Sequence, residues 1–224
     1  MDAAIIIALV ALAGSLVSTV ATVFGAPALQ ARREAKAKLD SYREPLLASA
    51  YELQARLHNI LCNRFLETYL FGENRVKQEA ALESTLYVFA QFFGWREIIR
   101  REIQFLRFPR DAETRGTARL LQDIDETFLS NELGEQFMIW RVEQRGLGER
   151  MITTSDGKPR CMGYAVFIER RAKMSEWLDP LERDLEDLGD EGRERLRELQ
   201  HLLLALVNRL DADRTRYPFE LEKA

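Results

Sequence analysis

At 224 residues with 46% hydrophobic content, the chain is long enough for one domain with a sizeable core, and 32 basic against 36 acidic residues give a net charge of −4. Its two cysteines, Cys62 and Cys161, exclude a disulfide framework and are typical of a reducing compartment. The chain has only two histidines, His58 and His201, and no Walker, GxGxxG, HExxH or GxSxG motif. We therefore predict no catalytic residue, metal or cofactor. We also expect no nucleic-acid partner.

The first predicted element is a transmembrane helix over residues 3–29. The run from Ala3 to Leu29 carries no charge, and about 20 apolar residues are enough to cross the hydrocarbon core of a bilayer. A cleaved signal peptide is the alternative, but it needs a basic start and a shorter apolar segment of about 7–15 residues. Only Met1 and Asp2 precede this run, and no second run of comparable length follows. We therefore predict a single-pass membrane protein.

Residues 30–40 are predicted to form a helical juxtamembrane stalk, because they are rich in Ala, Lys, Arg and Glu. This segment contains four basic residues shortly after the span, namely Arg32, Arg33, Lys36 and Lys38. Basic flanks stay on the cytoplasmic side of a membrane. We expect an inner-membrane protein with its N-terminus outside and its C-terminal domain in the cytoplasm.

Within the predicted span, Gly14, Ser18 and Thr22 recur at intervals of four residues. Small residues on one stripe let membrane helices approach closely. This pattern predicts a homo-oligomer formed through the transmembrane helix, in addition to the lipid bilayer as a partner. The alternative is that the small residues reflect the ordinary composition of membrane spans.

The remainder is predicted to be a mainly all-α cytoplasmic domain over 41–212. Pro45 marks a new helix start, with Asp40 or Ser41 as its cap. Apolar residues at helical spacing continue from Leu46 to Phe65, and the helix is expected to end at Phe71 and Gly72. Two further helices are predicted from Asn74 to Pro109 and from Asp111 to Ser130.

The segment 134–163 departs from this helical pattern, since it contains several glycines. Its inward face is predicted to consist of Phe137, Trp140, Gln144, Leu147 and Met151. The residues Ser-Asp-Gly-Lys-Pro at 155–159 have turn chemistry between short extended pieces, which predicts a small β-hairpin near 152–162.

Leucines recur at helix-packing intervals in 177–188 and again in 196–210. We predict that these two segments form an intramolecular antiparallel helix pair. Asp179 and Pro180 are interpreted as a helix restart. Residues 213–224 are predicted to be a loose C-terminal tail.

One group of cations is the candidate ligand-binding site. It comprises Arg141, Arg145, Arg150, Lys158 and Arg160. Guanidinium groups bind phosphates and carboxylates through paired charge-assisted hydrogen bonds, so this group predicts a pocket for an anionic ligand. The alternative is an ordinary surface stripe in which Arg145 pairs with Glu149 one turn later. Cys161 is a weak candidate nucleophile, because neither histidine is near it in sequence.

Charge is also distributed unevenly along the chain. Residues 96–119 are rich in arginine, whereas residues 176–194 are rich in Asp and Glu. Such asymmetry indicates surfaces that attract partners of opposite charge, or two segments that lie near each other in the fold, or simply the solvated faces of ordinary helices.

The stretch from Ser41 to Ile60, together with Glu143 to Glu149, resembles uncharacterised bacterial membrane-anchored helical proteins, a resemblance that implies no function. We predict a membrane-anchored helical module for binding, scaffolding or signalling, with an anionic small ligand or a protein as its partner. Two alternatives are a ligand-sensing effector that oligomerises and perturbs the bilayer, and an enzyme that acts on a phosphate-bearing substrate.

Overall fold

A computed structural model of the chain describes residues 26–104, 112–218 and 222–224, and this part is mainly helical with a small two-stranded antiparallel sheet. The mainly helical fold and the hairpin are thus confirmed. The helices are α1 (Ala26–Cys62), α2 (Arg75–Gln104), α3 (Ala112–Leu129), α4 (Arg141–Arg150), α5 (Tyr164–Arg170), α6 (Ser175–Glu186) and α7 (Asp190–Leu210). The strands are β1 (Ile152–Ser155) and β2 (Lys158–Cys161), and shorter turns lie at Leu66–Leu70 (π) and Arg171–Met174 (3-10).

The predicted transmembrane helix lies outside the described residues, apart from Ala26–Leu29 at the start of α1. The predicted contact at Gly14, Ser18 and Thr22 also lies outside them. Within the described ranges, no helix is both long enough and apolar enough to cross a membrane.

Helix α1 corrects the prediction that a new helix begins at Pro45. The structure has one unbroken helix from Ala26 to Cys62 with Pro45 inside it. Proline has no N–H to offer the carbonyl of Ser41 one turn earlier, so the helix passes through Pro45 with one intrahelical hydrogen bond fewer. Next to the proline, Arg43 Nε donates to the Leu210 carbonyl at 2.9 Å, which ties this part of α1 to the end of α7.

The connection between α1 and α2 is longer than predicted, because α1 ends at Cys62 rather than near Phe71. A π-helical turn follows, in which the Phe71 N–H donates to the Leu66 carbonyl at 2.9 Å. The side chains of Leu66 and Leu70 are buried, so this turn is packed onto the core. Asn74 caps the start of α2, since its Oδ1 accepts the N–H of Lys77 at 3.2 Å.

The aromatic centre of the core lies on α2. Phe89 and Phe93 are buried and contact the ring of Phe128 on α3, with centroid separations of 6.3 and 5.0 Å. Phe89 also stacks on Phe137, which lies in the loop between α3 and α4. Aromatic pairs of this kind add stabilisation beyond the apolar area that they bury. They bind the α3–α4 loop to the centre of the bundle.

Helix α7 does not form its main contact with α6, so the predicted antiparallel pairing of these two helices is wrong. Helix α7 packs chiefly on α1 and α3, whereas α6 packs on α2 and α4. The reason is that α7 buries residues on more than one side, including Leu203, Leu204 and Leu206, so it needs two neighbours. Between α1 and α7, Gln200 Nε2 donates to Gln54 Oε1 at 3.1 Å.

Arg195 on α7 is fully buried and holds the end of α3 together with the α3–α4 loop. Its guanidinium donates to four backbone carbonyls, those of Thr127, Ser130 (2.8 Å), Gly134 (2.6 Å) and Gln136 (2.8 Å). Burial lowers the pKa of Arg195. The carbonyls near the end of a helix have no intrahelical partner, so this side chain supplies donors that the backbone itself lacks.

We expect Arg195→Met to lower the free energy of unfolding by at least about 3 kcal/mol, because each buried acceptor that loses its partner costs about 1–3 kcal/mol. Urea unfolding of the full chain, followed by circular dichroism, measures this change. The control is Arg197→Met, which removes only a surface pair with Glu194 and is expected to change stability by less than about 0.5 kcal/mol. Equal stability of the two variants would refute the role of Arg195.

Candidate functional site

Helix α4 is positioned by hydrogen bonds at its N-terminal end. Its first turn is closed by Glu143, whose Oε2 accepts the N–H of Trp140 at 2.8 Å. The buried amide of Gln144 donates to the carbonyls of Asp125 (3.1 Å) and Ile139 (2.8 Å). Because Gln144 faces the core, Arg145 next to it is exposed.

A glycine sets the distance between α4 and α2. A Cβ placed on Gly148 would lie 2.6 Å from the carbonyl oxygen of Phe93 and 2.9 Å from the Cβ of Glu97. Such distances are far inside van der Waals contact, so only glycine fits here without displacing α2. This close approach holds the inward residues Leu147 and Gly148 against the core.

The hairpin that follows α4 has the turn predicted from its sequence. Asp156 and Gly157 both have positive φ, at 52° and 70°, as a two-residue type I′ turn requires. The register pairs Ser155 with Lys158 and Thr153 with Arg160. Since side chains alternate across a strand, Lys158 and Arg160 share one face of β2.

The structure places the five predicted cations differently. Arg145, Lys158 and Arg160 are exposed and Arg141 is partly exposed, and none of these four forms an ion pair with any residue of the described ranges. Arg150 instead lies over the ring of Trp177, with 5.6 Å between its Cζ atom and the ring centroid. The alternative pairing of Arg145 with Glu149 is not formed, because Glu149 accepts from Arg101 at 2.7 Å.

Three of the five described arginines in the basic stretch 96–119 form ion pairs, whereas Arg115 and Arg119 are exposed and form none with the described residues. Arg96 forms a paired contact with Asp125, the shorter distance being 2.8 Å. Arg100 and Arg101 both bind Glu97 at 2.6 Å. Burial alone would raise the pKa of Glu97, but hydrogen bonds from these two arginines lower it overall. Arg107 and Arg110 lie outside the described residues.

The acidic stretch 176–194 also meets arginines. The guanidinium of Arg171 lies 3.0 Å from the carboxylate of Asp179, also binds Glu182, and is 3.6 Å from Glu83. Part of each charged stretch is therefore neutralised within the fold itself. Helix α4 and strand β2 are among the described elements whose basic side chains have no acidic partner, as are Arg115 and Arg119 on α3.

Two exposed apolar side chains flank Arg141 in the chain, and sequence reasoning missed both. Trp140 is 58% exposed and Val142 is 69% exposed. The prediction that Trp140 faces inward with Gln144 and Leu147 is wrong, because the helix begins only at Arg141 and Trp140 has extended backbone, with ψ at 151°. Val142 does not fall at helical spacing with the inward residues Gln144 and Leu147. This difference in spacing is the sequence signal that could have predicted its exposure.

Cys161 is unsuited to nucleophilic chemistry. Burial raises the pKa of its thiol to about 12, and Sγ lies 3.8 Å from the carbonyl of Gln91, to which it donates. The thiolate is the nucleophilic form of cysteine, and this environment suppresses it at neutral pH. Cys62, at the end of α1, is exposed.

We expect Cys62 to react with Ellman's reagent at pH 8 in the native protein, while Cys161 reacts only after urea is added. The physical reason is the raised pKa and the burial of Cys161. Absorbance of the released thiolate counts the thiols in each state, and Cys62→Ser, which removes the fast-reacting group, is the control. Two fast thiols in the native wild-type protein would contradict the described position of Cys161.

No protein-family model, curated protein or solved structure matches this chain.

Proposed function

We propose that the chain is a membrane-anchored binding module whose helical domain recognises an anionic partner. The binding site is the α4–hairpin surface, formed by Trp140, Arg141, Val142, Arg145, Lys158 and Arg160. The observation that carries this proposal is that the four cations of this surface lack acidic partners among the described residues, whereas Arg96, Arg100 and Arg101 are paired.

The chemistry of this surface favours binding over turnover. Arginine and tryptophan are enriched among the residues that dominate binding energy at interfaces. Arginine also binds carboxylate and phosphate groups through two parallel hydrogen bonds. Many active sites exclude bulk water when they close on a substrate, whereas Arg145, Lys158 and Arg160 are all exposed. The enzyme alternative therefore gains no support from this surface.

The anchor is the second part of the proposal. Helix α1 begins at Ala26, inside the predicted span 3–29, and continues without a break into the core, where Leu53 and Leu57 are fully buried. This continuity supports a rigid connection between a membrane helix and the domain, which projects into the cytoplasm according to the basic flank. It also favours the effector alternative, since oligomers formed through Gly14, Ser18 and Thr22 would fix the spacing of the attached domains.

The anionic-partner proposal predicts that the double variant Arg141→Glu and Arg145→Glu retains less than about one tenth of the species that copurifies with the wild-type protein. Reversing two charges turns attraction for an anion into repulsion. Wild type and variant are extracted in detergent at low salt, and copurified molecules are identified and quantified by mass spectrometry. Both residues are at least partly exposed, so stability should change by less than about 0.5 kcal/mol per substitution.

The matched control is the double variant Arg115→Glu and Arg119→Glu, which reverses two exposed charges one turn apart on α3. It should retain the copurified species, and about 1 M salt should remove that species from the wild type, because the Debye length falls to about 3 Å. An equal loss in the α3 variant, or no loss in the α4 variant, would show that the α4–hairpin surface is not the site.

The anchor proposal predicts that the protein stays in the membrane fraction after carbonate extraction, because an apolar span is held by the bilayer rather than by charge. Protease added outside intact cells should leave residues 41–224 uncut, and the same protease should digest them after the cells are opened. Digestion from outside would reverse the orientation. Release by carbonate would remove the transmembrane anchor from the proposal.

A further inference from the structure

The chain turns back on itself directly after α7. The Asp211 carboxylate accepts the N–H groups of Thr215 (2.9 Å), Arg216 (3.1 Å) and Tyr217 (2.8 Å). Three donors on one carboxylate define a tight reversal, and they lower the pKa of Asp211. The reversal directs the residues after it back along the bundle rather than away from it.

An aromatic contact then joins the returning segment to α1. The rings of Tyr217 and Tyr51 stack with a centroid separation of 3.8 Å and an interplanar angle of 12°. Beside them, Arg216 Nε lies 3.0 Å from Glu44 Oε1, in a pair that is largely exposed. The stack buries aromatic surface of the tail, whereas an exposed ion pair of this kind contributes little.

A buried amide on α7 holds the backbone farther along the tail. Gln200 is fully buried; its Nε2 donates to the Glu222 carbonyl at 2.9 Å and its Oε1 accepts the Ala224 N–H at 3.2 Å. The ring Nε2 of His201 lies 3.0 Å from the Ala224 carbonyl oxygen. Gln54 on α1 accepts from the same Gln200 amide and fixes its orientation.

These contacts have the pattern of peptide recognition. In an extended chain, the carbonyl of one residue and the N–H of the second residue after it point to the same side, and Gln200 binds both. The hydrogen bonds of Gln200 recognise backbone atoms, which every peptide has. The Tyr51 ring recognises an aromatic side chain a few residues earlier in the bound segment. Neither stacking nor these few hydrogen bonds is strong individually, so the bound segment can be exchanged.

From this arrangement we infer that Tyr51, Gln54, Gln200 and His201 form a peptide-binding surface, which the chain's own tail occupies. We call it the tail-binding surface. Its partner is an extended peptide with an aromatic residue followed by backbone that Gln200 can bind. This inference goes beyond the proposed function, because these residues lie on α1 and α7 and contribute nothing to the α4–hairpin surface.

A tethered tail competes with any free peptide, because a short tether gives it an effective concentration in the millimolar range. Weakening the tail should therefore strengthen the binding of a peptide added in solution. The substitution Tyr217→Ala removes the ring from the tail and leaves the four residues of the tail-binding surface unchanged.

The test is a titration of full-length protein with a fluorescein-labelled peptide of residues 217–224, followed by fluorescence anisotropy. We expect the Tyr217→Ala variant to bind this peptide at least ten times more tightly than the wild type. Tyr69→Ala, which removes an exposed tyrosine of the π-helical turn between α1 and α2, should behave like the wild type. A peptide with alanine in place of its tyrosine should bind the Tyr217→Ala variant at least ten times more weakly than the original peptide.

Two results would overturn the inference. The first is equal binding, or no binding, of the labelled peptide by the wild type and the Tyr217→Ala variant. The second is loss of cooperative thermal unfolding in the Tyr217→Ala variant, since the tail would then be an integral part of the core rather than an exchangeable ligand.

Discussion

A buried guanidinium bound to backbone carbonyls fixes the loop between α3 and α4 against the rest of the domain. Arg195 is solvated by backbone carbonyls from the end of α3 and the loop behind it, so that its charge and their unpaired dipoles satisfy one another. The loop that it holds contains Phe137, which has positive φ, packs on Phe89 and donates its N–H to Asp184. The start of α4, and with it the α4–hairpin surface, takes its position from this loop.

Local chemistry made much of the fold predictable. The Asp-Gly turn and the extended residues on either side of it specify the hairpin, and apolar spacing locates α2, α3 and α7. What failed was decided by tertiary contacts. Pro45 is a helix-start signal, but the helix passes through it, and the bond from Arg43 to α7 holds this part of the helix in place. The partners of α7 could not be inferred from its leucines, since these show that a face is buried and not what covers it.

For the candidate site, the sequence predicted which residues are basic but not which of them are neutralised. Arg101 and Arg145 lie on exposed helical surface and have acidic residues one turn away. Yet Arg101 binds both Glu97 and Glu149, because α2 and α4 approach closely at Gly148. Glu149 is the residue with which Arg145 could otherwise have paired. Competition between two arginines for one carboxylate depends on the distance between helices, which periodicity does not encode.

The unbroken α1 helix makes the domain sensitive to the length of the segment before it. An α-helix turns by about 100° and rises by about 1.5 Å per residue. A single residue inserted between Ala26 and Pro45 would thus rotate the whole bundle by more than a quarter turn relative to anything N-terminal of it, while barely changing its height. Insertion of whole helical turns would restore the original orientation of the bundle. The number of residues in this part of α1 therefore determines the direction in which each surface of the domain points relative to the segment before it.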